Sequence, residues 1–136
     1  KELFSIGEIA KLFNMRVGTL RYYDEINILK PEKIDDETGY RYYSTKQFER
    51  LNTIKYLRAL GMSLEKIKQF FDFEDDEYNK IDDIISLLSN QEKKVIEDLE
   101  RLKKDYNHIK KKILYYTDVK KSVINKEILP QWKDYK

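Results

Sequence analysis

The chain has 136 residues, 40% hydrophobic and 38% charged, enough for one modest core and a long solvated element. Its 27 basic and 25 acidic residues leave a net charge of +2, so no global basic field points to nucleic acid or a membrane, and any such surface must come from local placement. Cysteine is absent and His108 stands alone, which excludes disulfides, thiol redox sensing and a zinc site, and with no run apolar enough for a membrane span or signal peptide the expectation is a cytoplasmic protein without cofactor.

Residue 1 is lysine rather than methionine, compatible with a trimmed chain. Ser5 and Glu8 form a capping box, after which Ile6, Ile9, Ala10 and Phe13 recur at helical spacing. Asn14 can end that helix in the left-handed conformation, and Val17, Leu20 and Ile26 start a second only a few residues on, which is helix-turn-helix spacing. On the second helix Val17, Leu20 and Asp24 share one side. Arg16, Thr19, Tyr22 and Tyr23 fall on the other, with Arg21 at the border. Gly18 either lets the backbone approach a phosphate or is a neutral surface position.

Pro31 breaks the helical pattern, Ile34 starts a strand, residues 35–39 form a turn and Tyr40-Arg41-Tyr42 returns as a second strand, giving a β-hairpin wing. The tyrosines beside Arg21 and Arg41 have two readings. They are core-edge residues with their hydroxyls in water, or part of a nucleic-acid surface; Tyr42, alternating with Arg41, is the one assigned to the core. Ser44 with Gln47 opens a third helix striped by Phe48, Leu51, Ile54, Leu57 and Leu60, closed by Gly61. Ser63 caps a fourth, with Leu64, Ile67, Phe70 and Phe71 buried. Lys55, Arg58, Lys66 and Lys68 give this pair a smaller basic feature.

Asp72, Glu74, Asp75, Asp76, Glu77, Asp82 and Asp83 make an acidic hinge; a cation site is conceivable there, but calcium-loop spacing and its glycine are absent. From Ile81, steps of four and three reach Ile85, Leu88, Glu92, Val95, Leu99, Leu102, Tyr106, Ile109, Ile113 and Tyr116. Such a heptad predicts a coiled coil of roughly 50 Å whose seam needs a second chain, hence a homodimer. Its acidic start and its basic far end (Lys103, Lys104, Lys110, Lys111, Lys112) favour antiparallel pairing, unless both runs are merely solvated faces. His108, between seam positions, is expected to face solvent. The last residues, with Pro130 and Trp132, are a short packed tail or the opening of a further domain. No nucleophile–histidine pair, phosphate loop or metal cluster is present in the pattern, so an enzyme is not expected.

Four motifs, Ser5-Ile6-Gly7-Glu8-Ile9-Ala10, Thr19-Leu20-Arg21-Tyr22-Tyr23-Asp24-Glu25, Thr38-Gly39-Tyr40-Arg41-Tyr42-Tyr43 and Leu60-Gly61-Met62-Ser63-Leu64-Glu65-Lys66-Ile67, together resemble the MerR family of transcription regulators over roughly residues 3–72. The resemblance implies a mainly α protein: a winged helix-turn-helix domain (1–72), the acidic hinge (73–80), a long antiparallel coiled-coil dimerisation helix (81–117) and a tail or the start of an effector domain (118–136). It implies promoter DNA and RNA polymerase as partners, with effector-dependent distortion of the DNA controlling transcription. Arg21, Tyr22 and Tyr23 carry over as recognition-helix contacts, Tyr40 and Arg41 as wing contacts. The residue pattern itself adds Arg16 and Thr19 on the helix and Lys55, Arg58 and Lys66 as phosphate contacts. The seam Ile85, Leu88, Val95, Leu99, Leu102, Tyr106, Ile109 and Ile113 is the expected dimer interface.

Without cysteine, metal- or redox-sensing branches are excluded and the multidrug-sensing branch is the nearer resemblance, with a small organic effector. Tyr106, Tyr115, Tyr116 and Trp132 either line an aromatic site for it or pack in the seam and tail. The competing readings are a coiled-coil adaptor and a DNA-bending protein without effector.

Overall fold

Ser5 ends a strand and opens a helix. In the computed structural model, which describes residues 2–77 and 79–136, Phe4–Ser5 is a short strand, β1, that the sequence did not reveal. Lys1, and Tyr78 in the expected hinge, lie outside the described residues. Ser5 N-caps helix α1, Ile6–Leu12: its Oγ accepts from Glu8 N at 3.1 Å, and Glu8 Oε1 accepts from Ser5 N at 3.0 Å. Such a reciprocal cap is worth about 1 kcal/mol and fixes where the first helix begins.

Three helices of the N-terminal region end in one way. Asn14, Asn27 and Gly61 adopt left-handed φ of 52°, 62° and 88° after α1, after α2 (Val17–Glu25) and after α3 (Lys46–Ala59). The amide of the next residue then reaches back to a last-turn carbonyl: Met15 to Ala10 at 2.8 Å, Ile28 to Tyr23 at 2.9 Å and Met62 to Leu57 at 3.0 Å. This closure satisfies otherwise orphan carbonyls and turns an apolar residue inward. Ile28 and Met62 are fully buried as a result. The short, rigid connections hold α2 against α1, and α4 (Leu64–Glu74) against α3.

The expected hairpin belongs to a three-stranded antiparallel sheet of order β1-β3-β2, with β2 at Lys33–Ile34 and β3 at Arg41–Tyr43. Ser5 and Lys33 both pair with Tyr42, from opposite edges. Asp35 Oδ1 shapes the turn by accepting from Glu37 N at 2.9 Å and Thr38 N at 3.0 Å, and Gly39 takes φ +73°. Alternation along β3 sends Arg41 and Tyr43 to one face and Tyr42 to the other. The core therefore receives Tyr43, fully buried, and the assignment of Tyr42 to the core is corrected; Tyr42 is only half-buried.

Contacts divide the chain into Lys1–Gln91 and Glu92–Lys136. In the first unit Ile9, Leu20, Leu51, Ile54, Leu57, Ile67 and Phe71 build the core on the stripes the periodicity predicts. Helix α5, Ile81–Asn125, begins in this unit, where Ile84 and Leu87 pack on the core. Gln91, only 5% exposed, donates from Nε2 to Leu60 O at 2.7 Å and so caps the end of α3. Arg50 ties the unit together: Nε donates to Ile28 O at 3.0 Å and the guanidinium lies 3.9 Å over the Phe71 ring.

In the second unit α5 runs on to Asn125, past the expected end at 117, and the tail returns along it. A 3-10 turn, Trp132–Asp134, sets Trp132 edge-on to His108 (5.7 Å) and Tyr115 (5.7 Å) and parallel to Tyr135 (6.3 Å). His108 is thus exposed as expected, yet in contact with a ring. Of the expected aromatic set, Tyr115, Tyr116 and Trp132 join one cluster, whereas the Tyr106 ring meets Lys110 Nζ at 5.2 Å.

Candidate nucleic-acid interface

Helix α2 offers its outer face through Arg16, Arg21 and Tyr22, all exposed, with Thr19 half-buried beside them. Gly18 is open on this face, with nothing near the position a Cβ would take. Tyr23 is not on it. It is 7% exposed, three residues after the fully buried Leu20, and its carbonyl accepts from Ile28 N and Leu29 N, so its placement on the outer face is corrected. Burial pushes its phenol up, partly offset by the Arg58 charge.

Arg21, Tyr40 and Arg41 come together across the helix and the wing, lining a groove of about 250 Å³ with Ser5, Ile6, Gly39 and Tyr42. Tyr40 is 65% exposed at the wing tip. Arg41 is half-buried, and its Nε donates to Asp24 Oδ2 at 2.8 Å, while Lys30 Nζ meets Asp24 Oδ1 at 2.9 Å. Asp24 is 6% exposed. Burial raises its carboxyl, but the bonds and charges of Arg41 and Lys30 outweigh that and hold it below the ordinary carboxylate range. Tyr43 lies fully buried on the same strand face, its hydroxyl without a hydrogen-bond partner. Burial first, then the Asp24 charge, pushes its phenol up to about 12, against the offset of Arg41.

The second helical pair does not line this groove. Lys55 Nζ donates to Phe13 O, Arg58 Nη1 donates to Met62 O at 3.0 Å, and the Lys66 amide donates to Ser63 Oγ at 3.2 Å. Lys55 and Arg58 are exposed and Lys66 is half-buried. Sequence reading missed Asp24 and Lys30 as parts of the site. The available signal was Asp24 itself, a carboxylate on the Val17–Leu20 side of α2, which demands a cationic partner.

Along α5 the expected seam is an apolar stripe: Ile85, Leu88, Leu99, Leu102, Tyr106, Ile109 and Ile113 are exposed in the single chain and Val95 is half-buried. Among the described residues no group of three or more His, Cys, Asp or Glu is arranged to hold a metal ion, and no helix is long and apolar enough to cross a membrane. Asp75 instead meets Arg50 Nη1 at 3.4 Å.

A helix pair joined by a tight turn and followed by a hairpin that shares an arginine-lined groove with the second helix defines a winged helix-turn-helix protein. The family described as "MerR HTH family regulatory protein" matches residues 4–74, and "MerR, DNA binding" matches residues 48–110. The chain belongs to the MerR family of helix-turn-helix regulatory proteins. It is 37% identical over 99 residues to the multidrug-efflux transporter 1 regulator of Bacillus subtilis, covering 73% of this chain and 34% of that protein. It is 33% identical over 104 residues to the mercuric resistance operon regulatory protein of Bacillus cereus, covering 74% and 78%. The fold is similar to that of HiNmlR, a MerR family regulator lacking the sensor domain, seen bound to promoter DNA (TM-score 0.74, 29% identity, 87% and 89% covered). The chain spans about a third of the length of the first of these relatives.

Proposed function

We propose that the chain is a sequence-specific DNA-binding transcription regulator that acts on promoter DNA as a homodimer. The observation that carries this is the groove in which Arg21 on the recognition helix meets Tyr40 and Arg41 on the wing, within a fold similar to a regulator bound to promoter DNA. Arg21 and Tyr22, with Arg16 and Thr19, read the major groove; Tyr40 and Arg41 grip the adjoining backbone. Lys55, Arg58 and Lys66 supply phosphate contacts from the second helical pair, and the buried Tyr23 leaves the set.

The dimer forms through the α5 stripe from Ile85 to Ile113 in antiparallel pairing. Leu99, Leu102, Tyr106, Ile109 and Ile113 are each more than half exposed in one chain, and a second copy covers them. Control works by distortion of the bound DNA, with RNA polymerase as the second partner and a small organic effector as the signal. The likeness to a multidrug-efflux transporter regulator supports that effector class. The protein has no enzymatic role and works in the cytoplasm.

Footprinting on the DNA upstream of its own gene and its neighbours tests this. A protected pseudo-palindrome at moderate salt is expected, and a heteromeric complex without any sequence-selective footprint would favour the adaptor reading instead. Arg21→Ala should cost roughly 1–3 kcal/mol of specific binding, whereas Lys55→Ala should weaken all sequences alike and reduce the salt slope by about one.

A further inference from the structure

Arg41 is not a free wing cation. Its Nε is committed to Asp24 Oδ2 at 2.8 Å, so of the guanidinium donors only the terminal nitrogens are left to offer to the groove that Arg41 and Arg21 line. Asp24 belongs to α2 and Arg41 to β3, so this bond crosses from the recognition helix to the wing. It is well fixed at the helix end. Asp24 is 6% exposed, and its second oxygen takes Lys30 Nζ at 2.9 Å, just beyond the left-handed closure at Asn27. It is also fixed at the strand end, where Tyr43, on the same face of β3 as Arg41, is fully buried.

We propose that Asp24 is a positioning residue for DNA recognition. Through Arg41 it sets the spacing of the wing from the recognition helix, so that Arg21 meets the major groove while the Arg41 terminal nitrogens hold the adjoining backbone. The inference rests on the DNA-binding reading above. It makes a claim that simple electrostatics reverses. Removing a carboxylate beside a phosphate-binding groove adds one positive charge, and counterion release alone would then strengthen binding to every sequence. A positioning role requires that binding to the operator weakens while binding to unrelated DNA holds or strengthens.

The test is fluorescence anisotropy of the full chain on the footprinted duplex and on a scrambled duplex at two salt concentrations. It compares wild type, Asp24→Asn, Arg41→Gln and the double variant. Asp24→Asn should lose about tenfold in operator affinity, with scrambled-duplex affinity unchanged or raised. In the Arg41→Gln background the same change should have less than about a twofold effect, because the residue acts through Arg41. Arg41→Lys keeps the charge and loses the Nε geometry on a half-exposed side chain. It serves if Asp24→Asn does not fold, and it should also lose operator affinity selectively. Operator affinity of Asp24→Asn at or above wild type, an undiminished effect in the Arg41→Gln background, or wild-type behaviour of Arg41→Lys would each overturn the role. A wild-type chain with no preference for any duplex would instead overturn the DNA-binding reading, and this inference with it.

Discussion

Tyr135 Oη donates to Asp118 Oδ2 at 2.6 Å, fastening the tail to helix α5 within the C-terminal unit. Lys112 Nζ lies 3.9 Å over the Trp132 ring and Tyr115 packs edge-on to Tyr135 at 5.3 Å, so a cation, a carboxylate and an aromatic ring of α5 hold Trp132 and Tyr135 of the tail.

Tyr135→Phe should therefore loosen the tail without unfolding the helix. The single tryptophan reports on it: Trp132 emission should shift to the red and quench more readily in the variant, while the helical circular dichroism stays the same. An unchanged emission spectrum would count against a fastened tail.

The same contact predicts an alkaline transition. The hydrogen bond to Asp118, with the Asp118 charge, pushes the Tyr135 phenol up to about 12, above the value of the free residue near 10. A group whose folded value is raised contributes its stability fully below pH ~10 and loses it as pH rises through the folded value. Trp132 emission should thus change as pH rises from about 10 to 12 in wild type. In Tyr135→Phe that change should be absent.

Asp24 gives the opposite sign at the acid end. Its carboxyl is held low, so its contribution is complete above the unfolded value near pH 4 and is lost as pH falls through the folded value. Between pH 4 and 2, wild type should lose more Tm than Asp24→Asn, read by circular dichroism. Parallel losses in the two proteins would show that the Arg41–Asp24–Lys30 cluster does not stabilise the fold.

Tyr43→Phe is expected to leave stability unchanged or raise it by up to about 1 kcal/mol, since the deleted hydroxyl is buried with no partner. Tyr43→Ala removes a fully buried ring and should cost roughly 3–5 kcal/mol. Urea denaturation of the two variants separates the ring from its hydroxyl.

Leu102→Glu with Ile109→Glu, both on the exposed stripe of α5, should yield a monomer in sedimentation velocity. The N-terminal unit should keep its near-ultraviolet signal. If the double variant sediments as wild type does, the seam lies elsewhere on the helix.

Much of the fold was legible because local chemistry and burial agree in this chain. The Ser5–Glu8 cap, the turn at Asn14 and the stripes of α3 and α4 are each written within a few residues of sequence. The site was legible as a set of residues and less so as a surface. Tyr23 went astray because a residue between an exposed face and a buried one is assigned by how the chain turns back at the helix end, here through Ile28 and Leu29, which are buried and bond by their amides to the Tyr23 carbonyl. Tyr42 was assigned to the wrong face because strand alternation gives a period and no phase, and the phase is set by pairing with β1, a two-residue strand too short to leave a pattern. The tail cluster joins residues as far apart as His108 and Trp132, beyond the reach of any local signal.

Gln91 carries a practical consequence for anyone dissecting the molecule. A recombinant fragment stopped at residue 72 would keep every groove-lining side chain, yet it would strip the end of α3 of its amide cap and the core of Ile84 and Leu87. Such a fragment should be hard to purify and prone to self-association. The compact N-terminal unit ends instead at Gln91, about three turns into helix α5.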